Sequence, residues 1–198
     1  MVHKELTALP PRLELFSDAV FAIIITIMVL EMHAPEGADF SDLVHLLPVF
    51  LSYVLSFVYI VVYWNNHHHI LKTMKKPTGL IMWANAHLLF WISLILFSTA
   101  WVGQHIGATA PTVMYSVVFF VAAYAYTLLQ KAIIISDGKN SLLAKAVGRD
   151  TKGKTSIVLY LIAIVMAFVA PWVSYMLLAL VAVIWIVPDP RIEREFRK

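Results

Sequence analysis

Apolar residues in this chain are gathered into long runs and do not alternate with polar ones. Six runs stand out, over about 13–32, 48–67, 79–102, 112–135, 155–170 and 172–187. A hydrocarbon layer about 30 Å thick takes about 20 helical residues to cross. The first four runs meet that length as helices. The last two share the stretch 155–187, which is too long for one unbroken helix and tight for two. Pro171 supplies a break there, because proline lacks a backbone donor and clashes with the preceding turn. The alternative is one tilted, kinked helix, which makes five spans.

The polar connections decide between the two counts. Residues 33–47 hold Glu36, Asp39 and Asp42 and no Lys or Arg. The next connection carries Lys72, Lys75 and Lys76 without an acid, and 103–111 carries no charge. The loop 131–154 sets Lys131, Lys139, Lys145, Arg149, Lys152 and Lys154 against Asp137 and Asp150, and the tail holds Arg191, Arg194, Arg197 and Lys198. Basic and non-basic connections alternate throughout. The excess of Lys and Arg on cytoplasmic loops then places both termini in the cytoplasm. Two ends on one side need an even number of crossings. The expectation is an all-α integral membrane protein: a single domain over 1–198, a six-transmembrane-helix bundle, multi-pass in the cell membrane. Leu142–Leu143–Ala144 suggests a short interfacial helix in the long loop, and the tail after Val187 reads as a turn or two of helix at most.

Composition agrees. Of 198 residues, 61% are hydrophobic and 14% charged, and the mean hydropathy is +0.80. A soluble domain runs at about 45–50% and about 25%. A soluble fold is excluded on this count, and so is disorder, which needs little apolar surface. With no cysteine, disulfides, zinc–thiolate sites and thiolate nucleophiles are excluded. The net charge of +3 gives no reason to expect nucleic-acid binding. Met1–Arg12 is polar and has no small-residue cleavage site, so it does not read as a signal peptide. HExxH, GxSxG, P-loop and GxGxxG patterns are absent, and no enzyme is expected. The TVGYG filter and an Arg-rich voltage-sensing helix are absent too.

Charge within a membrane helix costs a few kcal/mol or more and calls for a partner. The first run holds Arg12, Glu14, Ser17 and Asp18 near its start, Thr26 midway and Glu31 at the far end. Pro10 and Pro11 suit a helix start. Arg12 and Glu14 can snorkel to the headgroups, but Asp18 lies deeper on a short side chain. At about 100° per residue, Ile23, Ile27 and Leu30 form one stripe, flanked by Thr26 and extended by Ala19. Asp18 points roughly 135° from that stripe, with Glu14, Ala22 and Ile25. Spacing alone leaves open whether the stripe meets lipid, core or a pore.

Two more polar groups flank the short loop after the second run: Trp64, Asn65, Asn66, His67, His68 and His69 before it, and Trp83, Asn85 and His87 after it. The hairpin brings them to one depth, level with the start of the first helix. Asp18 and Arg12 can therefore meet His67 or His68, Asn85, and the indole of Trp64 or Trp83, as a polar network joining three helices. Three consecutive histidines diverge on a helix and cannot share one metal ion. No acidic residue lies near them in sequence. No metal site and no cofactor are expected. Trp101, Tyr115, Trp172, Tyr175 and Trp185 fit interfacial aromatic belts.

The run Arg12-Leu13-Glu14-Leu15-Phe16-Ser17-Asp18 has the form R-x-x-x-F-S-D and opens the first span. It resembles the signature of the transmembrane protein 175 family, the potassium channels of endosomes and lysosomes and their prokaryotic relatives. Trp64, His67 and His68 at the end of span two, Asn85 early in span three, and the six-span size agree with that family. The resemblance implies a homotetramer conducting potassium ions, with four copies of span one around the pore and no re-entrant filter loop. It implies a constriction of Ile23, Ile27 and Leu30, with the Thr26 hydroxyl contributing to potassium preference. It places Arg12, Phe16, Ser17 and Asp18, with Trp64, His67, His68 and Asn85, in packing behind the pore. His69 has no family role. Two other readings compete. One is a proton-coupled transporter, or a proton-permeable channel, using Asp18 and His67–His69; the other is a non-transporting membrane scaffold.

Overall fold

The computed structural model describes residues 12–148 and 150–186. Eight helices follow in order: α1 (Arg12–Leu30), α2 (Phe40–His45), α3 (Leu47–Lys72), α4 (Gly79–Gln104), α5 (Thr109–Asp137), α6 (Leu142–Val147), α7 (Thr151–Val169) and α8 (Pro171–Ile186). The described residues contain no strand. Helices α1, α3, α4, α5 and α7 are long and apolar enough to cross a membrane. Helix α8 is apolar but has 16 residues, about 24 Å at 1.5 Å per residue. Pro10, Pro11, Arg149 and the tail after Val187 lie outside the described residues.

Each apolar run appears as a helix, with ends set by local chemistry. Thr78 caps α4 by accepting from the Ile81 amide. Helix α5 starts at Thr109, which places Pro111 in the first turn, where a missing N–H leaves no bond unmade. Helix α7 stops at Val169 and α8 opens on Pro171, so the proline separates two helices and does not kink one. The Leu142–Leu143–Ala144 run is helical as α6, capped by Ser141. Helix α2 was not expected. It is held by a reciprocal cap, with Asp39 as N-cap and the Asp42 carboxylate accepting from the Asp39 amide at 3.0 Å.

Helices α3, α4, α5 and α7 pack in succession, α8 closes against α7, and α1 lies at the edge against α3 and α4. Lys72, Lys75 and the end of α5 meet at one pole, the basic end, where the Lys75 amide donates to Asp137 at 3.1 Å. Ile60, Leu88, Ile92, Phe119 and Leu129 are wholly buried. At Gly103 an added Cβ would lie 3.1 Å from the Val49 Cα, so the missing side chain lets α3 and α4 close up.

The core also holds directed hydroxyl strings. Thr99 donates to the Ile95 carbonyl at 2.6 Å. It therefore accepts from Ser56 at 2.6 Å, and Ser56 accepts from Tyr115 at 2.7 Å. Ser116 donates to the Thr112 carbonyl and accepts from Ser174 at 2.9 Å. Thr112 donates to the Ala108 carbonyl and accepts from Tyr175 at 2.6 Å. These strings tie α3, α4, α5 and α8 together by interhelical hydrogen bonds. They correct the aromatic-belt reading of Tyr115. Tyr115 is buried, and the Tyr115 and Tyr175 phenols both find hydroxyl partners on neighbouring helices. Trp172 stays exposed.

Candidate functional site: the first helix and its polar anchor

Helix α1 presents two opposed faces. Ser17, Phe21, Ile24 and Met28 recur at i, i+4, i+7 and i+11 and are buried against α3 and α4. Arg12, Phe16, Ala19, Ile23, Thr26, Ile27 and Leu30 lie on the other side, about 140° round at 100° per residue. That side is open: Ile23 is 55% exposed, Ile27 40% and Leu30 73%. The expected stripe is thus a continuous uncovered surface of the chain. Thr26 donates its hydroxyl proton to the Ala22 and Ile23 carbonyls at 3.1 and 3.0 Å. The hydroxyl donor is thus satisfied within α1 itself.

The polar anchor sits at the basic end. Ser17 donates to the Leu13 carbonyl at 2.8 Å and accepts from the Asn85 amide nitrogen at 3.0 Å. The Asn85 carbonyl oxygen meets His67 Nε2 at 2.6 Å. An amide oxygen can only accept, so His67 donates from Nε2. One string thus runs from α3 through α4 to α1, with all three side chains buried. Among the described residues nothing hydrogen-bonds His67 Nδ1. The Phe21 ring packs edge-on to His67, with centroids 5.5 Å apart. Two further bonds join α1 to α3. Trp64 Nε1 donates to Asp18 at 2.9 Å, and Glu14 meets His68 Nδ1 at 2.8 Å.

Ser17, Asp18, Trp64, His67, His68 and Asn85 are therefore brought together. Arg12 and Phe16 are not: both are exposed, Phe16 at 60%, on the side that carries Ile23. Trp83 is 79% exposed and stands outside the cluster, while His87 accepts from Trp91 Nε1 at 3.0 Å. The three histidines go separate ways. His67 turns inward, His68 reaches α1, and His69 packs edge-on to His68 at 5.9 Å. An acid does lie beside them: Glu14 comes from another helix, so spacing within α3 could not show it. Among the described residues no group of three metal-ligating side chains converges. Sequence reasoning missed Phe21, Ile24 and Met28 as the anchoring face, although with Ser17 they follow a 4-3-4 spacing.

These features define a helical membrane protein with a tied, polar-backed first helix and an uncovered apolar face. The profile of the family described as "Endosomal/lysosomal potassium channel TMEM175" matches residues 12–95, which contain the whole anchor. A protein of Chryseobacterium sp. (strain P1-3) named a potassium channel is 46% identical over 187 residues, 94% of this chain and 97% of that protein. One from Chamaesiphon minutus (strain ATCC 27169 / PCC 6605), also named a potassium channel, is 30% identical over 177 residues, 82% of this chain and 86% of its own length. The crystal structure of a lysosomal potassium-selective channel TMEM175 homolog from Chamaesiphon minutus superposes with a TM-score of 0.78 at 28% identity, covering 88% of this chain and 95% of that one. The chain belongs to the TMEM175 family.

Proposed function

We propose that this protein is a potassium-selective channel of the cell membrane, a homotetramer with four copies of α1 around its axis. The observation that carries the reading is the two-faced α1. Polar bonds from α3 and α4 hold one side, and Ile23, Thr26, Ile27 and Leu30 stand uncovered on the other. The names of the relatives support potassium as the permeant ion.

Rings of Ile23 and Ile27 would leave too little room for a hydrated cation and would gate by dewetting. Potassium holds its water less tightly than sodium. A constriction that strips water and returns Thr26 oxygens favours potassium modestly, less than a carbonyl-lined filter. Both termini would face the cytoplasm, with α8 as a short sixth crossing and the basic end inside. Exposed Glu31, just past α1, would stand near the opposite mouth. Arg12 and Phe16, on the uncovered side, would meet a neighbouring subunit or the inner mouth.

The proton-relay reading finds less support. The His67–Asn85–Ser17 string ends on the Leu13 carbonyl, which cannot pass a proton on. Asp18 bonds an indole N–H, which does not relay one. The test is flux from potassium-loaded proteoliposomes, with sodium loading as the comparison. Potassium efflux above sodium efflux, without a pH gradient, is expected. Flux only under a pH gradient would move the assignment to the transporter.

A further inference from the structure

We infer that the basic end of the bundle carries a binding site separate from α1, a cavity that takes a small neutral diol. The cavity, of about 40 Å³, opens between α3, α5, α7 and α8. At roughly 10–15 Å³ per water it has room for about three waters, or for a diol of two carbons. Tyr63 and Asn66 line it from α3, and Thr127 and Gln130 from α5. Each pair is spaced i, i+3 and so shares one face of its helix. Tyr63, Asn66 and Gln130 are at most 8% exposed.

The donors around the cavity are largely spent. Asn66 Nδ2 donates to the Val62 carbonyl at 2.8 Å, and Thr127 to the Ala123 carbonyl at 3.0 Å. Ser156 donates to the Lys152 carbonyl and accepts from Trp185 Nε1. Tyr126 donates to the Asn66 backbone carbonyl at 3.2 Å and accepts from Gln130. Tyr59 donates to the Leu178 carbonyl at 2.6 Å. The phenols behind it, Tyr160 and then Tyr63, follow in the same direction. Oxygens are what remains open: the Tyr63 phenol, the Thr127 hydroxyl, and the side-chain carbonyls of Asn66 and Gln130. A buried acceptor calls for a donor, so the occupant brings more than one.

The rim sets the charge. Asp150 accepts from the Gly153 amide at 3.1 Å, and both it and Lys152 have other partners as well. Lys152 Nζ already lies over the Trp185 ring, 4.8 Å from its centre. Neither charge stands uncompensated, so the occupant is neutral. The Tyr63 and Tyr126 rings, 6.2 Å apart at 66°, give it apolar walls. Water has no carbon to set against those rings. A carboxamide adds a carbonyl where acceptors are already in excess. Two hydroxyls on a short carbon body meet both demands. Two sources supply a vicinal diol: a free small polyol, or the glycerol headgroup of a phospholipid at the basic end, where Lys131 and Lys154 are exposed to receive its phosphate.

The test is saturation-transfer NMR on the full chain in detergent, with ethylene glycol as probe and acetonitrile, small but without a hydroxyl, as control. Saturable binding of ethylene glycol and none of acetonitrile is expected. Thr127→Val and Gln130→Leu each delete an open acceptor and should weaken binding about threefold or more. Trp83→Ala, away from the cavity, should leave it unchanged. The acetonitrile comparison is made on the parent protein, so it does not depend on a variant folding. No saturable binding of ethylene glycol leaves the cavity to water and overturns the assignment. Equal response to acetonitrile, or Thr127→Val and Gln130→Leu proteins that bind as the parent does, would overturn it too. Repeating the titration in nanodiscs separates the sources. Loss of ethylene glycol binding in phosphatidylglycerol but not phosphatidylcholine supports the headgroup as occupant. Binding in both supports a free diol, and loss in both would overturn the assignment.

Discussion

Asn85→Ala removes the middle of the string that ties α1 to the bundle. The carboxamide makes two interhelical bonds, from His67 at 2.6 Å and to Ser17 at 3.0 Å. Interhelical hydrogen bonds in membranes contribute about 0.6 kcal/mol on average and about 1.7 at most. Two of them give about 1–3 kcal/mol. Leaving the buried His67 donor unmatched pushes toward the upper end, since a stranded polar group costs about 1–3 kcal/mol. Unfolding in mixed micelles, followed by circular dichroism, should show that loss. Trp83→Ala, at an exposed site nearby, should change stability by about 0.5 kcal/mol or less. A double-mutant cycle of Asn85→Ala with His67→Ala isolates the bond and should return about 0.6–1.7 kcal/mol of coupling. Additive losses, or an Asn85→Ala variant as stable as the parent, would refute the anchor.

Gly103→Val should cost about 1–3 kcal/mol by overpacking against the Val49 backbone, whereas Gly79→Ala, with open space around it, should be neutral or stabilising; thermal unfolding ranks the two. Ser56→Ala strands both Tyr115 as donor and Thr99 as acceptor, so it should destabilise more than Tyr115→Phe, which leaves the Ser56–Thr99 bond intact; the reverse order would contradict the direction of that string. Ile23→Ala should raise potassium flux and bring the potassium-to-sodium ratio nearer to one in proteoliposomes. Unchanged flux and ratio would take Ile23 out of the ion path.

The long helices were legible because crossing a bilayer demands runs that little else requires. The Pro171 break and the α6 segment followed from single residues with known backbone consequences. The polar anchor was legible as a set: the short loop after α3 puts Trp64, His67, His68 and Asn85 at one depth with Asp18. Its pairings were not. Trp64 and Trp83 are equivalent as sequence, and only the rotation of each helix decides that Trp64 bonds Asp18 while Trp83 faces outward. Faces of α1 were hard to tell apart for a related reason. In a membrane helix the buried face and the lipid face are both apolar, so Phe21, Ile24 and Met28 show no contrast with Ile23 and Ile27. Tyr115 suffered likewise, since a phenol at an interface and one bonded to a buried serine read the same. Helix α2 has only six residues and no apolar run; its signal was the Asp39–Asp42 spacing.

The central claim is that the uncovered face of α1 lines an ion path. The chain has no native cysteine, so a single Ile27→Cys substitution reports on that face alone. Potassium flux from proteoliposomes would be measured before and after a cationic methanethiosulfonate reagent, with labelling verified by mass. The control is Val165→Cys, on an exposed position of α7. The account predicts that labelling the Ile27→Cys protein blocks flux and labelling the Val165→Cys protein does not. Complete labelling of Ile27→Cys with flux unchanged would contradict it.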